Sequence, residues 1–229
     1  RFGLGAATLR SDNPGLVYVS ASGMGRAGPE AHAVAYGTLL QCYSGFAELN
    51  GTPGQAPRVG MAWLDPMCGL MLAMLCHAAI ESRRQGGGGV RIDFSMLEAM
   101  LWTMLEPLLA VQQNKVVEPV GNAAHGDVHD IWRTRGDDAW VALAAISDAE
   151  WRRLCKRVPE LRTLSAMDRK SRRANPDAWR KKLSDWCSGL TPAELHKALS
   201  GLGLPLAAVV DALALVDDPH LAARGFWDD

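Results

Sequence analysis

Residues 59 to 79, VGMAWLDPMCGLMLAMLCHAA, hold one charge in an otherwise apolar run: Asp65, directly before Pro66. Two roles suit a carboxylate at such a place. An Asp followed by Pro begins a helix well, because the carboxylate accepts backbone N–H groups, favours the positive end of the dipole, and Pro fits the first turn. A carboxylate facing a cleft can also act as a nucleophile, once apolar walls desolvate it and helix amides hold it. The two roles are compatible, and the spacing predicts Asp65 as N-cap of a helix running to about Glu81.

Other stretches carry weaker chemistry. The loop SASGMGRAGP, residues 20 to 29, has glycines that would let backbone N–H groups approach an anion, but it is not a Walker A sequence and its spacing fails the dinucleotide fingerprint. RRQGGGGVRIDFS, residues 83 to 95, reads as a flexible connection from helix to strand. His125 and His129 stand four apart in a linker without a convincing further ligand, so they read as solvated loop residues and no metal site is expected. Ser20 and Ser22 lack the G-x-S-x-G elbow of a serine hydrolase. The tryptophans read as core or interface residues, and the basic run of residues 169 to 182 reads as a solvated helical face.

Composition narrows the classes. The 229 residues suffice for one large domain or two modest ones, and a net charge of -1 offers no global attraction for nucleic acid or an anionic membrane. Asp65, His77 and Glu106 interrupt the apolar runs, so no membrane helix is expected. Five cysteines without CxxC spacing suit reduced thiols in a cytoplasmic protein. The chain opens on Arg1, with no signal peptide, and reads as a segment cut at both ends.

The elements that must position Asp65 read as follows. A strand over residues 16 to 20 leads into the glycine loop, and apolar residues at helical spacing predict a helix over residues 33 to 48. The helix from Asp65 is apolar on nearly all sides, hence expected to be covered on all sides. VRIDFSM reads as a strand, and LEAMLWTMLEPLLAVQQ as another buried helix. After a boundary near residues 118 to 128, IWRTRGDDAWVALAA is a strand-turn-strand, and SDAEWRRLCKRV and TPAELHKALSGLGLP carry helix-capping signals. The fold class is α/β: part of a Rossmann-like large domain over residues 1 to 122, then a smaller α+β domain over residues 123 to 229.

Taken in order, RFGLGAATLRSDNPGLVYVSASGMGRAGP, AYGTLLQCYSGFAELNG, RVGMAWLDPMCGLMLAMLCHAAIESRRQGGGGVRIDFSMLEAML, GDDAWVALAAISDAEWRRLC and LPLAAVVDALALVDDPHLAARGFW resemble the class III CoA-transferases of the CaiB/BaiF type. That family holds formyl-CoA and carnitine CoA-transferases and also α-methylacyl-CoA racemases. The resemblance implies transfer of CoA from an acyl-CoA to a carboxylic acid acceptor, with the catalytic aspartate at Asp65 and substrate or CoA contacts at Ala35 and Tyr36. It implies CoA thioester as substrate, no permanently bound cofactor, and an interlocked homodimer. The racemase histidine falls on Tyr36 and its supporting glutamate near Ser147, so proton abstraction lacks both partners and transfer is favoured. An acyl-CoA racemase or isomerase with another partner, and a silent CoA-binding member, stay open as alternatives. The family often has an acidic residue where this chain has Gly37, and its glycine-rich lid has no clear counterpart near GNAAHGDVHD.

Overall fold

The computed structural model describes residues 2 to 123 and 127 to 227, so His125 lies outside the described residues. The chain divides into two units, Arg1–Gly121 and Asn122–Asp229.

In the first unit, α1 (Ala6–Asp12) precedes β1 (Tyr18–Ser22), a strand shifted two residues past the expected start and end. β1 pairs in parallel with β2 (Arg91–Ser95), in register from Tyr18 opposite Arg91 to Ser22 opposite Ser95. A parallel pair needs a long crossover. Here it is made by α2 (Gly37–Tyr43), α3 (Phe46–Leu49) and α4 (Leu64–Arg84). The single helix expected over residues 33 to 48 is two helices, because Gly45 takes φ 84°, a left-handed conformation that ends one helix and begins the next. After β2 come α5 (Met96–Trp102) and α6 (Leu105–Gln112) in place of one continuous helix. The break lies four residues before Pro107, whose ring would meet the carbonyl of Thr103 in an unbroken helix.

Leu40, Leu64, Cys68, Phe94, Ala99, Met100 and Met104 form this unit's core. Fully burying a leucine such as Leu40 or Leu64 contributes about 2 kcal/mol. The expectation that α4 is covered on all sides is not met: Leu70 and Met74 are 70% and 72% exposed. Only the face carrying Leu64, Cys68 and Ala79 reaches the interior. The helix after β2 is likewise exposed at Trp102, Leu105, Leu109 and Val111. By length and composition α4 is also apolar enough to cross a membrane, a test that the core helix of a soluble protein passes too.

In the second unit, β3 (Val128–Arg133), β4 (Trp140–Ala145) and β5 (Leu206–Ala208) form an antiparallel sheet in that order. Register places Val128 opposite Ala145, Asp130 opposite Leu143 and Trp132 opposite Val141, so the buried residues of both strands share one face. Helices α7 (Asp148–Arg157), α8 (Arg169–Ala174), α9 (Asp177–Ser188), α10 (Pro192–Leu199) and α11 (Pro219–Ala223) complete the unit. Trp151 and Trp179 are fully buried, with ring centroids 6.0 Å apart, and Trp132 lies 6.4 Å from Trp179. Ser147 and Thr191 cap α7 and α10 through full capping boxes with Glu150 and Glu194. The basic run is not wholly solvated: Arg172 is fully buried, bonded to Asp148 and to the carbonyls of Met167 and Ile146.

Candidate active site

Helix α4 begins two residues earlier than expected. Trp63 is the N-cap, Leu64 the first helical residue, and Asp65 and Pro66 follow within the first turn. Asp65 is therefore not the cap. Leu64, fully buried, fixes the frame and turns its neighbour outward: Asp65 is exposed, and among the described residues no hydrogen bond reaches its carboxylate. The picture of a desolvated carboxylate held by backbone amides is thus not what the isolated chain presents. Its charge still falls in the first turn, where the dipole favours an anion by about 0.3 to 1 kcal/mol.

What faces this carboxylate is the start of α2. Gly37, the first residue of that helix, is buried, and a Cβ placed on it would lie 2.4 Å from Asp65 Oδ2, 3.1 Å from Asp65 Cγ and 3.3 Å from Leu64 Cβ. Tyr36 is the N-cap of α2, its carbonyl accepting from Leu40 N–H at 3.0 Å and its side chain 72% exposed. Ala35 packs on Gly23, where an added Cβ would lie 2.9 Å from the Ala35 carbonyl oxygen. Gly23 directly follows β1, and its carbonyl accepts from Leu97 N–H at 2.9 Å, beyond the end of β2. The segment of residues 35 to 37 therefore runs from the carboxyl ends of the parallel strands to the Asp65 carboxylate. Ligands of parallel α/β sheets bind outside those strand ends.

Sequence reasoning brought Asp65, Ala35 and Tyr36 forward, and the fold brings residue 65 against residue 37. It missed Gln41. This side chain, fully buried, accepts from Gly60 N–H at 2.8 Å and donates to the Met61 carbonyl at 3.0 Å. The one available signal was a polar residue four places after Gly37, among apolar Leu39 and Leu40. Cys68, one turn after Asp65, is pushed up first by burial and then by the Asp65 charge, so it stays a thiol rather than a competing nucleophile. An apolar groove of about 340 Å³, lined by Met71, Met74, Phe94 and Trp102 among others, does not include Asp65.

In the second unit, Ser147 serves α7 alone. The Glu150 carboxylate accepts from Ser147 N–H at 2.8 Å, and that backbone bond, the Ser147 hydroxyl and the Ile146 N–H hold it below the usual glutamate range. His129 is exposed on β3, and no metal-binding group of His, Cys, Asp or Glu occurs among the described residues.

The profile of CoA-transferase family III matches residues 1 to 229. The chain is 25% identical over 229 residues to succinyl-CoA–D-citramalate CoA-transferase of Chloroflexus aurantiacus, covering 97% of this chain and 57% of that protein. It is 30% identical over 231 residues to acetyl-CoA:oxalate CoA-transferase of Acetobacter aceti, covering 98% and 59%. A CaiB/BaiF family protein from Brucella suis has a crystal structure that superposes with a TM-score of 0.81 at 25% identity, covering 97% of this chain and 60% of that one. The chain thus spans somewhat under two thirds of the length of each of these relatives. With the profile matched from end to end and the mixed α/β fold shared, the chain belongs to CoA-transferase family III.

Proposed function

We propose that the protein moves CoA from an acyl-CoA to a free carboxylic acid, with Asp65 as nucleophile and with Ala35 and Tyr36 against the thioester region. One observation carries the reading: the Asp65 carboxylate projects, exposed, onto the Tyr36–Gly37 start of α2. The relatives named as CoA-transferases use succinyl-CoA or acetyl-CoA as donor, which sets the class of substrate to test.

The steps balance without any redox partner. An Asp65 oxygen attacks the thioester carbonyl, forming an acyl–aspartyl anhydride and releasing CoA thiolate. The thiolate attacks the aspartyl carbonyl, giving an aspartyl–CoA thioester and the free donor acid. The acceptor carboxylate attacks that thioester, forming a second anhydride and again freeing the thiolate. Attack of the thiolate on the acceptor's acyl carbonyl yields the new acyl-CoA and restores Asp65. Each step exchanges one activated acyl for another, so the protein's task is positioning and charge stabilisation rather than proton transfer. An exposed carboxylate is well hydrated, so in this scheme the incoming acyl-CoA supplies the apolar cover that Asp65 lacks in the free chain.

The same reading assigns residues 1 to 122 to a large CoA-binding domain, residues 123 to 229 to a small domain, and the protein to an interlocked, cytoplasmic homodimer. Racemisation is disfavoured, because Tyr36 stands where a histidine would serve and the two carboxylates nearest Ser147 in sequence are both engaged, Asp148 with Arg172 and Glu150 in capping α7. The test is Asp65→Ala in the intact protein, following exchange of labelled succinate into succinyl-CoA. Exchange falls by on the order of 10⁴-fold if Asp65 is the nucleophile. Exchange within tenfold of the parent rejects the assignment.

A further inference from the structure

We propose that one face of α2 sets the position of the Asp65 carboxylate, through two positioning residues a helical turn apart, Gly37 and Gln41. The inference rests on the reading of Asp65 as nucleophile.

Among the described residues, the loop before α4 is tied to α3 only near Arg58, whose N–H donates to the Ala47 carbonyl at 3.0 Å and whose carbonyl accepts from the Asn50 amide at 3.4 Å. Residues 52 to 62 form no helix or strand, and Val59 and Met61 are exposed. Its attachment to α2 is the Gln41 amide, which engages both a donor and an acceptor of the loop backbone, Gly60 N–H and the Met61 carbonyl. Gln41 is fully buried, so its amide has only these two loop groups to satisfy it, and losing them would leave a buried polar group unpaired. Gly60 permits this approach, since a Cβ there would lie 3.3 Å from Gln41 Oε1. Three residues separate Met61 from Asp65, and the Phe46–Trp63 ring pair, 5.6 Å between centroids, steadies that interval.

Gly37 acts from the other side. Residues four apart lie on one face of a helix, so Gly37 and Gln41 address the same neighbour. Gln41 fixes where α4 begins, and Gly37 leaves the hollow that the carboxylate occupies. The glycine is not needed for backbone geometry, because it has an ordinary helical place and is absent from the positive-φ residues. Its missing Cβ is needed for space. In this chain's arrangement a Cβ at residue 37 meets the Asp65 carboxylate, which must shift to admit it. Because Oδ2 is the free end of a side chain, that displacement costs little stability while moving the reacting atom. A nucleophile displaced by about 1 Å loses on the order of 10²-fold in rate.

The test measures single-turnover formation of the hydroxylamine-trapped enzyme adduct from succinyl-CoA, reading rate constant and amplitude separately, in the intact parent, Asp65→Asn, Gln41→Glu and Gly37→Ala. A neutral glutamic acid reproduces the pattern of Gln41, accepting from Gly60 and donating to Met61, whereas its anion has no donor and is a buried charge. Burial raises a glutamate's pKa, so Gln41→Glu is near-parental at about pH 5.5 and slower by about 10²-fold at pH 8. Amplitude and KM stay within about threefold of the parent, a split that loss of folded protein does not give. Gly37→Ala is slower by about 10- to 10²-fold with Tm within about 2 °C of the parent. Parental rate constants for Gln41→Glu at pH 8 and for Gly37→Ala, with Asp65→Asn inactive, overturn the positioning inference and leave the nucleophile standing. Trapping that survives Asp65→Asn overturns the nucleophile itself. Should Gln41→Glu fail to fold, Gly37→Ala decides alone.

Discussion

Replacing Arg172 by Ala removes more than a surface charge. The guanidinium, fully buried, donates to Asp148 Oδ1 at 2.8 Å and to the Met167 and Ile146 carbonyls at 2.9 and 2.8 Å, and lies 5.1 Å over the Trp151 ring. It thereby ties the start of α7, the residue after β4 and the turn before α8 to one another. The substitution leaves two carbonyls without donors, at about 1 to 3 kcal/mol each, and opens space beside Trp151. The Asp148 contribution is smaller, since that side chain is 42% exposed and water takes over from the lost partner. The sum is about 3 to 5 kcal/mol, or roughly 6 to 20 °C in Tm for a chain of this size. Urea unfolding followed by tryptophan fluorescence measures it, with the midpoint lowered and the slope unchanged. A loss below about 1 kcal/mol refutes the view that Arg172 organises this unit.

Asp127, nearly buried and held below the usual aspartate range first by its hydrogen bonds from Arg169, lends stability that is present above its unfolded value of about 3.9 and lost as pH falls through its lowered folded value. Acid titration of unfolding therefore shows a slope below about pH 4 that is reduced in Arg169→Ala. Ser147→Ala breaks the α7 capping box and costs about 1 kcal/mol in thermal unfolding, while CoA exchange per folded molecule stays at the parental rate. A large loss of exchange in that variant would give Ser147 a part in the transfer chemistry and refute its role as a cap of α7 alone.

Local signals were legible. The alternation of β3 and β4, the Ser147 and Thr191 caps, and the lone carboxylate before Pro66 all follow from neighbours within a few residues. What was not legible depends on residues distant in sequence. Asp65 and Pro66 read as cap and first position, yet the buried Leu64 captures the first helical place and moves both two steps inward. Arg172 looks like its neighbours in a basic run, and only the packing of α8 on residues 146 to 148 makes it the interior member. Gln41 reads as a polar residue on an amphipathic helix, and its bonds lie 19 and 20 residues away. The breaks at Gly45 and before Pro107 were visible as residue types, but apolar periodicity running through both masked them.

The central claim is that Asp65 itself becomes acylated and then carries CoA. Incubating the intact protein with succinyl-CoA, quenching with hydroxylamine, and mapping the modified peptide by mass spectrometry tests it most directly. A hydroxamate is expected at Asp65, formed at a rate competent for turnover and absent when CoA ester is omitted. A modified residue elsewhere, or turnover with no enzyme-bound adduct at Asp65, contradicts it.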